Sequence, residues 1–248
     1  MKFFGKFRRK MILNGKFKNY LLYAVGEIVL IVLGILIAWK INNLNEIRKS
    51  KIVQVKIYES LDEELRSNLI VLDSAIVRYN SSTGALQKSL SYVGLQENQL
   101  NNEAKEVIIE MKFKKSSISD EALSSINSTD KFQFIENDSL KILIAQYPAH
   151  MNDFMEQEVK LRNIVENKLK PLLEKHLSLV DMLPEDATYK RIKTYVQESN
   201  YSGLLNDKEY QNSIINDLLQ TKIQLRIAKS LREKTEELSL KLNLELNG

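Results

Sequence analysis

Glu27 is the residue whose type and position could do chemistry. It lies within Tyr20–Trp39, YLLYAVGEIVLIVLGILIAW, twenty residues that carry no other charge. An ionisable group inside an apolar span is a functional hypothesis by default. Ala24, Glu27, Ile31, Gly34 and Ala38 recur at steps of three and four, so they share one helix face. Small residues let helices approach closely, and a carboxyl on that face can hydrogen-bond across the interface instead of meeting lipid. The expectation is self-association, or docking on another membrane protein, through this face. A sharper reading gives Glu27 proton transfer in a proton-coupled subunit; the interhelical hydrogen bond is the plainer one.

Elsewhere the chain offers little reactive chemistry. His150 and His176 are its two histidines, and no H-x₃-H or H-E-x-x-H spacing joins them. No G-x-S-x-G, P-loop or G-x-G-x-x-G motif occurs. With no cysteine, disulfides, thiolate nucleophiles and Cys-ligated metals are excluded. Asp62-Glu63-Glu64 and Glu236-Glu237 stand near Lys and Arg at helical spacings and read as solvated faces. The expectation is no catalytic, cofactor-binding or metal-ligating residue, and no enzyme. Whether a small-molecule ligand binds is left open.

The element that must position Glu27 is a membrane span. Twenty residues at the helical rise cover about 30 Å, the thickness of a bilayer's hydrocarbon core. Twelve of them are Leu, Ile or Val. These favour insertion by roughly 4–7 kcal/mol, more than the about 3 kcal/mol that a central carboxylate would oppose. Tyr20 and Tyr23 at one edge and Trp39 at the other sit where interfacial aromatics anchor a helix.

Charge orients the span. Residues 1–19 hold Lys2, Lys6, Arg8, Arg9, Lys10, Lys16 and Lys18 and no acid. Cations on the far side (Lys40, Arg48, Lys49, Lys51) are fewer and diluted by Glu46. The tail is expected to stay in the cytoplasm and residues 40–248 to be exported. No A-x-A-type site follows the apolar run, so an uncleaved signal-anchor is favoured over a signal peptide. Taking the tail's +7 from the chain's +4 leaves −3 for the remainder. That body has no basic excess to neutralise phosphates, which argues against nucleic acid.

Beyond the span the pattern is helical. Eight Gly and three Pro are too few for many tight turns. Leu65, Leu69, Leu72, Ile76, Tyr79, Thr83, Leu86, Leu90 and Val93 alternate steps of four and three, a coiled-coil or bundle seam. One helix is expected from the bilayer to about residue 92, with Gly84 as a place to bend. Residues 94–102 read as a turn, Glu103–Phe113 as a short helix, and Lys114–Ser117 as a break. A further short helix is expected from the Ser117/Asp120 start to about Asn127, then a non-helical stretch through Asn137. Asn137-Asp138-Ser139 reads as an N-cap cluster. A second long stripe follows from Leu140 to Val180, with Pro148 and Pro171 expected to kink or interrupt it and Pro184 to close it. Thr188–Glu198 reads as a short helix and Asn200–Asp207 as a loop. The last helix, Asp207 to about Leu246, has Tyr210, Ile214, Ile215, Leu218, Leu219, Ile223, Leu225, Ile227, Leu231, Leu238 and Leu242 as its apolar set. The fold class is all-α: an antiparallel bundle of three long helices with short helices added.

Gly26-Glu27-Ile28, Gly34-Ile35-Leu36-Ile37-Ala38 and Ile41-Asn42-Asn43-Leu44-Asn45-Glu46 resemble a large bacterial family of single-span membrane proteins whose domain has no known function. The family's junction usually reads GILIALQINNWNE; here it is GILIAWKINNLNE. The aromatic stands at Trp39 instead of position 44, and Lys40 replaces a Gln. A weaker echo covers Ala122–Leu140, where Ser128-Thr129-Asp130 replaces a Ser-Ser-Gly. The resemblance implies an N-in protein of the inner membrane with a helical periplasmic domain, and no activity. Together these readings point to a structural or interaction subunit that oligomerises in the membrane. The rivals are a sensor whose bundle binds a small molecule, and the proton-coupled subunit.

Overall fold

The protein is described by a computed structural model over residues 17–110, 113–183 and 186–247. The cations Lys2, Lys6, Arg8, Arg9, Lys10 and Lys16, the Pro184 break, and the side chains of Lys18 and Tyr20 lie outside the described residues. The chain divides into two units, Met1–Lys56 and Ile57–Gly248. Every long element among the described residues is helical.

The first unit contains the start of α1, the helix Phe17–Ser91. From Leu21 the apolar run is helical throughout, so its backbone groups are satisfied within the segment. Its large side chains are exposed on every side, as are Trp39, Ile41, Leu44, Ile47 and Ile52.

In the second unit α1 continues through Gly84 without a break. It buries Tyr58, Leu61, Leu65, Asn68, Leu72, Ala75, Tyr79, Leu86 and Ser89. The inner line therefore runs through Asn68 and Ala75, one residue before the expected Leu69 and Ile76, which are only half-buried. Asn68 is drawn inward because its amide clasps the peptide of Ser119: Nδ2 donates to the Ser119 carbonyl at 2.7 Å, and Ser119 N–H donates to Oδ1 at 3.0 Å.

That clasp belongs to a return segment. Gly94, at φ +86°, takes the left-handed conformation that ends α1, where a side chain would be strained. The chain then passes through a 3₁₀ turn at Glu97–Gln99 and α2, Asn102–Ile109, whose N-cap Asn101 accepts from Ala104 N–H at 2.8 Å. Residues 113–120, without regular structure, lead to α3, Glu121–Asn127. The expected Ser117/Asp120 start does not form: Asp120 itself precedes the helix and makes no capping bond, and Glu64 of α1 accepts from Ala122 N–H (2.8 Å) and Leu123 N–H (3.3 Å) instead. Thus Glu64 is a structural anchor and not part of a solvated acid face. Asp62 also departs from that reading, holding Arg66 at 2.7 Å and Asn243 at 3.0 Å. A 3₁₀ turn, Asp130–Phe134, falls where a loop is expected.

Next comes α4, Asp138–Ile164, capped by Asn137, the first residue of the expected Asn137-Asp138-Ser139 cluster. It runs unbroken through Pro148, where a kink or interruption is expected; Tyr147 and Met151, packed on either side, are buried. A π-helical turn, Val165–Leu169, precedes α5, Lys170–His176, which has Pro171 in its first turn. Widening the helix there accommodates a proline that cannot donate to the preceding turn. α6, Ala187–Tyr195, matches a predicted short helix. The Asn200–Asp207 loop is instead α7, Tyr201–Asn206, because Tyr201, Leu204 and Leu205 bury one face of a single turn and a half. Its cap packs so closely that a Cβ on Gly203 would lie 2.4 Å from the Asn200 side chain.

The last helix, α8, is Lys208–Asn247. Asp73 pairs with Arg232 at 2.7 Å and Asp62 meets Asn243, so α8 runs antiparallel to α1. Tyr147 Oη to Thr235 Oγ1 (2.6 Å) and Gln157 to Gln220 (2.8 Å) make it antiparallel to α4 as well. The three long helices pack together, but the expected antiparallel arrangement holds only for α8; α1 and α4 run parallel to each other. The return segment at 92–137 makes that possible by carrying the chain back along α1 before α4 begins.

Candidate functional site

The bundle's interior is polar where its helices meet midway. α8 buries Tyr210, Ile214, Asp217, Thr221, Gln224, Ala228, Leu231, Thr235, Leu238 and Leu242 at unbroken steps of four and three. Ile215 (44% exposed) and Leu219 (54%), both in the expected apolar set, face outward. Spacing, not apolarity, marks the inner line here. A heptad count that tolerated polar residues finds it.

Glu158 of α4, 3% exposed, organises one side of this layer. Tyr79 Oη donates to its Oε1 at 2.6 Å, and Ser116 N–H donates to Oε1 at 3.0 Å. Arg78 Nη2 donates to Ser116 Oγ at 2.7 Å, and its guanidinium also lies near the Tyr79 ring. Burial, then the Glu158 carboxylate, pushes the Tyr79 hydroxyl pKa up to about 12, so it stays a donor.

Beside this network is a cavity of about 440 Å³. α1 contributes Arg78, Tyr79 and Ser89, and α8 contributes Asp217 and Thr221. Leu161 and Val165, with Phe113 of the return segment, make it apolar on one side. Asp217 is 5% exposed and accepts from Thr221 Oγ1 at 3.3 Å. Burial pushes its carboxyl pKa up to about 6, with the Thr221 hydrogen bond working the other way. Ser89 Oγ and Arg78 Nε are buried without a hydrogen-bond partner.

The sequence-predicted residues lie elsewhere. Ala24, Glu27, Ile31, Gly34 and Ala38 are all helical in α1 and fall within an arc of about 80° at 100° per residue. A side chain at Gly26 or Gly34 would meet nothing within 4 Å. Tyr23 and Trp39 are exposed. The two histidines are not brought together. His176 Nε2 lies 3.0 Å from Asp207 Oδ2, and this contact, the first cause, with Asp207's cap on α8 and Lys175, holds that carboxyl well below the usual carboxylate range. Among the described residues no group of three or more His, Asp or Glu is gathered as a metal site.

The described residues define an all-α protein with a helical bundle and, near the N-terminus, one helix long and apolar enough to cross a membrane. Residues 27–117 match the model of a family of unknown function (DUF6090). The match spans the junction through Glu46 and the return segment as far as Ser117. No curated protein and no solved structure matches the chain.

Proposed function

We propose that the chain is a single-span interaction subunit of the bacterial inner membrane. Residues 1–19 stay in the cytoplasm, the helix over 20–39 crosses the bilayer, and the bundle faces the periplasm. The helices self-associate through Ala24, Glu27, Ile31, Gly34 and Ala38, and the bundle is presented to a partner protein.

The observation that carries this reading is the uncovered helix. None of its most apolar window is buried by the rest of the chain. Leaving that area in water forfeits about 25 cal/mol for each Å² of apolar surface. Lipid covers the span itself. Beyond Trp39, lipid no longer serves, yet Ile41, Leu44, Ile47 and Ile52 are still uncovered among charged neighbours. A second copy of the same helix supplies the missing cover.

Crosslinking of the detergent-solubilised protein tests the association. Gly34→Leu is expected to cut the oligomer fraction several-fold, because a side chain there fits the lone helix and only an inter-chain contact can reject it. Gly26→Leu, equally open but off that face, is expected to leave association unchanged. Equal behaviour of the two variants would sink the interface. Topology is read from single cysteines, which the wild-type chain lacks. Asn247→Cys is expected to react with an impermeant maleimide on spheroplasts, and Lys2→Cys only after lysis.

A sensor module is the second reading, and the cavity between α1, α4 and α8 favours it. Its volume falls within the range of about 300–1,000 Å³ typical of small-molecule sites, with polar groups converging on a partly apolar wall.

A further inference from the structure

We propose that this cavity binds a small zwitterion, whose carboxylate meets Arg78 and whose ammonium meets Asp217. The inference stands on the bundle alone and does not depend on how the span associates.

Three groups in the cavity wall are unfinished. The first is Arg78. Arg66 and Arg232 are paired with Asp62, Asp73 and Glu236, whereas among the described residues no carboxylate lies within ion-pair distance of Arg78. Its one hydrogen bond goes to Ser116 Oγ, and Nε is buried without an acceptor. Glu158 does not fill that need, because its oxygens are engaged by Tyr79 and Ser116. A guanidinium edge with a free Nε–H presents the planar fork that matches a carboxylate.

The second is Asp217. A carboxylate has about four acceptor positions. This one is almost wholly buried and receives a single long bond from Thr221. An ammonium brings three donors and the opposite charge, which is what a buried carboxylate lacks. The third is Ser89, a fully buried residue of the cavity wall whose hydroxyl has no partner.

Arg78 and Asp217 do not neutralise each other, since they make no ion pair across the cavity. Their opposite charges are instead available to one molecule lying between them. Leu161, Val165 and Phe113 give that molecule's methylenes an apolar wall. Glu110 and Lys114, also in the wall, are themselves of opposite sign, so they do not bias the site toward a simple anion or cation.

Calorimetric titration of the full-length protein in detergent micelles tests the proposal. The probes are leucine, γ-aminobutyrate and ε-aminocaproate, which differ in the separation of their charges, with valerate and pentylamine as singly charged controls. At least one zwitterion is expected to bind about tenfold or more tightly than either control, a difference of about 1.4 kcal/mol. Arg78→Lys, which keeps the charge and loses the fork, and Asp217→Asn are each expected to weaken that binding about tenfold. Far-ultraviolet melts of both variants separate lost binding from lost folding. The proposal is overturned if no zwitterion binds, if a control binds as well as the best zwitterion, or if binding survives both substitutions.

Discussion

Truncating Glu158 to alanine is expected to destabilise the bundle by about 3–5 kcal/mol, read from urea unfolding of the solubilised protein. The side chain is 3% exposed and serves two buried donors at once, Tyr79 Oη at 2.6 Å and Ser116 N–H at 3.0 Å. Removal leaves both buried donors without acceptors. It also frees Ser116, through which Arg78 is held. The loss should be mostly the cost of stranded partners and not the net worth of the bonds. Glu158→Leu combined with Tyr79→Phe is therefore expected to recover a large part of it. If the alanine variant unfolds within about 1 kcal/mol of wild type, the network does not hold the return segment to the bundle.

The neighbouring buried acid predicts the opposite sign. Asp217→Asn is expected to stabilise the bundle by about 2–3 kcal/mol above pH 7 and by nothing below about pH 3.5. The folded-state pKa of about 6 lies above the ordinary aspartate value of 3.8. Below both values Asp217 is neutral, folded or unfolded, and costs nothing. Between them the unfolded chain ionises first, so stability falls as pH rises. Above both the penalty is complete, and asparagine avoids it while keeping an acceptor for Thr221. Unfolding curves of wild type and variant across that range check the claim; parallel curves with a constant offset would refute it. An acid retained where it destabilises the fold by this much fits a ligand-facing role.

Much of this protein is legible in order of sequence distance. The apolar segment, the end of α1 near residue 91, the Asn137-Asp138-Ser139 cap cluster and the last helix all rest on patterns within one or two turns. Asn68 and Asp217 are not legible that way. An apolarity count puts Leu69 and Leu219 on the inner lines, yet Asn68 and Asp217 occupy them. The fault lies in treating the buried line as an apolar line. α8 keeps its three-and-four spacing through Asp217, Thr221, Gln224 and Thr235, and that spacing was available to be read. Pro148 fails for a related reason. Local chemistry argues for a break, while burial of Tyr147 and Met151 against the other helices outweighs one lost hydrogen bond.

The small-residue face of the apolar helix remains a matter of sequence. Ala24, Glu27, Ile31, Gly34 and Ala38 share a face because a helix has 3.6 residues per turn, and no other part of the chain is needed to align them. The cavity residues had no comparable signal. Arg78 and Asp217 of the cavity, and Glu158 beside it, are separated by 80 and 59 positions, and no motif joins them.

By itself the sequence determined the helical class, the apolar segment and the approximate limits of the three long helices. Apolar runs and helical periods are local properties, decided by each residue and its neighbours within a turn or two. The tertiary structure alone decided that α1 and α4 run parallel, which of two adjacent lines on α1 faces inward, and which charged groups line a common cavity. All three follow from the return segment bonded along α1 at Arg78, Asn68 and Glu64, contacts between residues 38 to 59 positions apart. Contacts of that range depend on how the whole chain closes on itself, so no window of the sequence contains them.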